Sequence, residues 1–151
     1  MDYFSLIYRN FWLIAISVGI INSVIIRVKI LSKIKKKPEL QDEGNQLIRG
    51  YFLATTCPWL ILGIFQNIGN FSDIFYIYSG DYANQYVILS RSFIIFCILL
   101  YTYWIVLRNG AETLIKFECV RGTSNARFFK FITVVSATVG ILPLMLIPRW
   151  F

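Results

Sequence analysis

The chain has 151 residues, 57% hydrophobic and 17% aromatic, with a formal net charge of +7 and no histidine. Soluble domains are usually about 45–50% apolar, and a mean hydropathy of +0.62 lies on the oily side of that class. The absence of histidine excludes bis-His haem ligation, the H-E-x-x-H metal motif, Ser-His-Asp and Cys-His catalysis, and His-centred proton relays.

The apolar excess is concentrated in four runs. The first covers about residues 6–28 and contains "FWLIAISVGIINSVII". It lacks a basic start, is too long for a leader's apolar region and has no A-x-A-like site after it, so it reads as a span. Ala15, Gly19 and Ser23 recur every fourth residue, a small-residue stripe that lets helices approach closely.

The connection at 29–49 holds Lys29, Lys33, Lys35, Lys36, Lys37 and Arg49, just after Arg27. This cluster directly follows a span, where lipid phosphate is the nearest anion, so no nucleic-acid partner is expected. The second run, about 50–69, is "GYFLATTCPWLILGIFQNIG", with Pro58 expected to kink it.

The connection at 70–86 has no basic residue, but it has Asp73 and Asp81 and six aromatics: Phe71, Phe75, Tyr76, Tyr78, Tyr82 and Tyr86. Aromatic rings collect at headgroup level, so this segment is expected on the outer interface with a turn at Ser79–Asp81. The third run, about 87–107, keeps one charge, Arg91, about 6 Å inside its outer edge by helical rise. At that depth Arg91 can snorkel to the headgroups. Alternatively it belongs to an outer polar cluster with Gln66, Asn67 and Arg9, with Asp73 or Asp81 as counter-charge.

The connection at 108–127 holds Arg108, Lys116, Arg121 and Arg127. It also carries a short amphipathic stretch, "GAETLIKFECV", whose Leu114, Ile115 and Phe117 are expected against the membrane. Gly110 is expected to stop the preceding helix, and Trp104 to anchor it at the interface. The fourth run, about 128–147, repeats a small-residue step at Ser136 and Gly140 and contains Pro143.

Backbone amides in lipid must be paired within their own segment, so each run is predicted helical. The predicted fold is an all-α membrane protein, a four-transmembrane-helix bundle in a single transmembrane domain over residues 1–151. Twelve basic residues fall at 27–49 and 108–130, against Arg9, Arg91 and Arg149 elsewhere. Positive residues favour the cytoplasm. Connections 29–49 and 108–127 are therefore expected inside, and both termini on the non-cytoplasmic side of a membrane of the bacterial inner type.

Counting about six residues inward from the basic end of each run gives a polar layer: Asn22 and Ser23, Thr55 and Thr56, Thr102, then Ser136 and Thr138. It reads either as ordinary interhelical hydrogen bonding or as a polar constriction in a water-filled path. No carboxylate lies inside a run, which argues against proton- or sodium-coupled antiport. Cys57, Cys97 and Cys119 form no C-x-x-C, and neither a phosphate-binding loop nor a nucleophile elbow occurs.

"CPWLILGIF" and "YTYWIVLRNGAETLIKF", with the polar loop between them, resemble a group of small uncharacterised bacterial four-helix membrane proteins. The matching positions are Pro58, Trp59 and Gly63, then Tyr103, Trp104, Gly110, Ala111 and Glu112. The likeness covers about residues 51–117 and implies no catalytic residue. The expected function is a non-enzymatic accessory or scaffold subunit, self-associating or part of a larger membrane complex. No cofactor or metal is expected, and anionic lipid headgroups are expected at the basic connections. The alternative is an oligomeric channel or membrane-perturbing effector.

Overall fold

A computed structural model describes residues 3–70, 72, 74–78, 83–120 and 124–146. The described residues form helices and no strand: α1 Tyr3–Arg9, α2 Phe11–Lys36, α3 Gln41–Gly69, α4 Gln85–Leu107, α5 Gly110–Lys116 and α6 Ala126–Leu146. Two 3-10 turns, Pro38–Leu40 and Ile74–Tyr78, lie in the connections after α2 and α3. The helices α2, α4 and α6, and α3 together with the short turn before it, are long and apolar enough to cross a bilayer.

The first apolar run is not one continuous helix. Asn10 breaks it, and the Asn10 side-chain amide donates to the Leu6 carbonyl at 2.9 Å as α1 ends. Residues 29–49 are far more helical than their charge suggested. Lysines and arginines are good helix formers, so α2 continues to Lys36 and α3 starts at Gln41, with Pro38 in the first position of the intervening turn. The α2–α3 hairpin therefore projects past the apolar stretch. Asn70 takes the left-handed conformation (φ 51°) and stops α3. Asn84 then joins two helix ends: its amide donates to the Gly69 carbonyl at 3.0 Å, and its side-chain oxygen accepts from the Tyr86 amide at 3.0 Å.

The spanning helices form an all-α bundle packed in series: α2 on α3, α3 on α4 and α4 on α6. Other pairs of spanning helices have only marginal contact among the described residues, so α2 and α6 are the two ends of the row. The α2–α3 seam is the closest. A Cβ on Gly19 would lie 2.7 Å from the Thr55 carbonyl oxygen, and one on Gly63 would enter the Trp12 ring. Only glycine permits both approaches.

These contacts set the register. Trp12 lies beside Gly63 and Gly19 beside Thr55, so Arg27 falls level with Arg49. The edge-to-face contact of Phe65 with Phe93, centroids 6.2 Å apart, brings Arg108 to the same level. Ile98 against Gly140 adds Lys130. By the same register Arg9, Asn67 and Arg91 share a level at the other end. Asn67 and Arg49 are eighteen residues apart within α3, a rise of about 27 Å. That is close to the ~30 Å of a bilayer's hydrocarbon.

The packed core lies near the basic level. Ile26 and Ile30 of α2, Leu47 of α3, Ile105 of α4, Ala111 and Leu114 of α5, and Phe117 form one buried cluster. Within the most apolar stretches, by contrast, only 11% of residues in α2, 17% in α3 and α4, and 6% in α6 are buried by the protein. The chain itself leaves the rest of that apolar surface uncovered.

Candidate functional site

At the loop end, Arg91 is 5% exposed. It does not snorkel outward as a simple anchor. Its Nε donates to the Ile77 carbonyl in the 3-10 turn, fastening that turn over α4. Gln66, also buried, donates from Nε2 to the Arg9 carbonyl at 2.9 Å and ties α3 to the end of α1. Its Oε1 is buried and accepts no hydrogen bond from the described residues. The Arg9 side chain faces out. Asn67 is exposed and donates to the Gly63 carbonyl of its own helix at 2.7 Å. Ser90, which the composition of the run gave no reason to single out, is buried beside Arg91 in sequence and donates to the Tyr86 carbonyl at 2.7 Å. The turn expected at Ser79–Asp81, and the carboxylates Asp73 and Asp81, lie outside the described residues, as does Arg149.

The polar layer divides by facing. Ser23 and Thr55 meet across the α2–α3 seam, their hydroxyl oxygens 3.1 Å apart. Each also lies within reach of its own helix, Ser23 Oγ 2.8 Å from the Gly19 carbonyl oxygen and Thr55 Oγ1 2.9 Å from that of Tyr51; with one proton each, one hydroxyl donates across the seam and the other to its own backbone. Thr56 is half-buried, and its hydroxyl has no partner among the described residues. Thr102 donates to the Ile98 carbonyl at 2.8 Å, and Thr138 to the Val134 carbonyl at 3.0 Å. Asn22, Ser136 and Thr138 are exposed, and Ala15 and Gly140 are half-buried. Gly140 has only ordinary contact with Ile98, so it is no counterpart to the tight Gly19 approach. The layer is thus one part-buried pair and a set of dispersed groups; it does not surround a common axis within one chain.

Between α3 and α4 lies a cavity of about 230 Å³, bounded by Trp59, Leu62, Phe93, Ile94 and Cys97 and covered by Ile77. Pro58 sits on its wall. Having no N–H, proline leaves the Ala54 carbonyl without its ladder donor.

At the basic end, α5 faces protein rather than the membrane. Leu114 is 4% and Phe117 1% exposed, while Ile115 is half-buried. The projecting α2–α3 hairpin supplies the wall they pack on. Asn109, at φ 58°, makes the left-handed turn after α4; Gly110 instead opens α5, pressed on the Trp104 ring. Trp104 is half-buried against the same core rather than a free interfacial anchor. Glu118, at φ 56°, closes α5 as the Cys119 amide donates to the Leu114 carbonyl at 2.9 Å.

Three ion pairs radiate from this segment. Glu118 pairs with Lys33 of α2 at 2.6 Å, Lys116 with Glu43 of α3, and Glu112 with Lys130 of α6 at 2.7 Å. The hydrogen bond from Lys33 holds the Glu118 carboxyl below the usual carboxylate range, and that from Lys130 does the same for Glu112. Burial pushes the Cys119 thiol up. Glu112 and Lys116 stand four residues apart on α5, yet each pairs with a different helix.

These features define an all-α membrane protein with a loosely packed spanning row and a tightly clasped basic end. The chain matches no family model, no curated protein and no solved structure.

Proposed function

We propose that this chain is a non-enzymatic membrane component, an accessory or scaffold subunit that packs on a second copy or on a larger complex. The observation that carries this reading is the contrast between the two regions. The basic end is a finished core with three cross-helix ion pairs. The spanning row leaves most of its apolar surface to be covered by something else. Two of the buried polar groups join helices to each other, Ser23 with Thr55 and Gln66 with the Arg9 carbonyl, which is scaffold chemistry.

In this reading the basic end faces the cytoplasm and both termini face away from it. Exposed Arg27, Arg49 and Arg108 sit at the level of anionic headgroups. The test is gentle detergent extraction of the full chain followed by mass measurement. A discrete assembly heavier than one chain plus its micelle is expected. A strictly monomeric chain with no co-purifying protein would overturn the proposal.

The channel reading draws on the exposure of Asn22, Ser136 and Thr138 at one depth. It requires ion or dye leakage from vesicles holding the pure protein; tight vesicles at high protein density would eliminate it.

A further inference from the structure

We infer that α2 carries a self-association surface centred on Asn22, and that its partner is the α2 helix of a second copy of this chain. The inference rests on the scaffold reading and names the partner of that role.

Asn22 lies five residues inside Arg27, about 7 Å below the basic level. Its short side chain does not reach the headgroups from there. It is exposed, and no hydrogen bond joins its side chain to any described residue. Its neighbours at the same depth are differently placed. Ser23 and Thr55 bond each other, and Thr102 and Thr138 bond their own backbones. A hydroxyl such as that of Ser136 can rotate onto a carbonyl of its own helix. An amide has two donors and an acceptor, and its own helix does not satisfy both ends. A bare amide in hydrocarbon is costly.

Three features select a second copy as the occupant. First, α2 is an end of the row, and among the described residues its contact with spanning helices other than α3 is at most marginal, so its flank is open. Second, Asn22 is bracketed on that flank by Val18 and Ile25, 50% and 48% exposed, at the 3- and 4-residue spacing of a helix–helix seam. Third, an amide is complementary to itself. Copies sharing one threading are related by a two-fold axis along the membrane normal, so residue 22 meets residue 22. Each amide then donates to the other, the device by which a single asparagine in an apolar seam sets register and oligomer state.

The test is subunit counting by single-molecule photobleaching of the full chain in vesicles, across a range of protein-to-lipid ratios. The wild type is expected to be dimeric. Asn22→Leu is expected to weaken dimerisation about tenfold, with unchanged helicity by circular dichroism, whereas Ser136→Leu leaves it intact. In membranes treated with iodine as oxidant, which is reduced to iodide, Val18→Cys is expected to give disulfide-linked dimers above the background of the native cysteines, and Val24→Cys, on the far side of α2, is not. If Asn22→Leu dimerises like wild type, this surface is overturned while a self-associating scaffold stands. If the wild type is monomeric at every ratio, the surface is overturned and the scaffold reading rests on a different protein, which the co-purification above detects.

Discussion

An arginine one helical turn inside a span either extends to water or finds an acceptor in the protein. Arg91 does the latter, bonding the Ile77 carbonyl. A hydrogen bond to a charged group contributes about 1.5–3 kcal/mol, so Arg91→Leu should release the 3-10 turn. Amide exchange at Ile77 and Tyr78 is expected to rise at least about tenfold, and Arg91→Lys, lacking the Nε–H, should not restore it. Arg9→Ala should change little, because the main-chain carbonyl that accepts from Gln66 survives. At the seam, Gly19→Ala drives a methyl toward the Thr55 carbonyl and should destabilise by about 1–3 kcal/mol. Gly50 has nothing within 4 Å of an added Cβ, and Gly50→Ala should stabilise α3 by up to about 1 kcal/mol. Denaturant titration in micelles distinguishes these two signs.

Among the elements, α5 and the residues just after it carry the ion pairs across the basic end: those of Glu112, Lys116 and Glu118 reach α6, α3 and α2. The pairs are exposed, so each is weak and screened by salt. Their effect should show as the opening of α5 rather than loss of the fold. Glu118 and Glu112 are depressed in the folded state. The stabilisation is therefore present above the ordinary carboxylate range and is lost as pH falls through the lowered values. Protection factors in residues 110–117, corrected for the intrinsic pH dependence of amide exchange, should be flat from neutrality down to about pH 5 and fall below about pH 4. Glu118→Gln should shift that profile, and molar salt should accelerate exchange at neutral pH.

For the whole molecule, two polar levels lie near the ends of the spanning row, Arg27, Arg49 and Arg108 at one and Arg9, Asn67 and Arg91 at the other. Labels at positions 27, 49 and 108 should report one depth, and labels at 9, 67 and 91 a second depth about 27 Å away. A label at Lys37, ten residues beyond Arg27 and capping the end of α2, should lie in water. A label at 37 found as deep as one at 27 would show that the hairpin lies flat on the surface and would remove the wall against which α5 packs.

The four spans were legible in the order of the residues, because twenty-residue apolar length is a property of the chain before it folds. So was the shared depth of Ser23 and Thr55, and of Gln66 and Arg91, since depth follows from counting inward along a helix of fixed rise. Facing was not legible. Whether Asn22 meets lipid or a neighbour depends on which helices lie side by side, and the order α2–α3–α4–α6 arises from tertiary contacts. The basic-end core was hidden for a related reason. An amphipathic α5 signals that Leu114 and Phe117 need cover, but hydrophobicity is non-directional and does not say whether protein or lipid provides it. Folding placed the α2–α3 hairpin there and made that end a packed core.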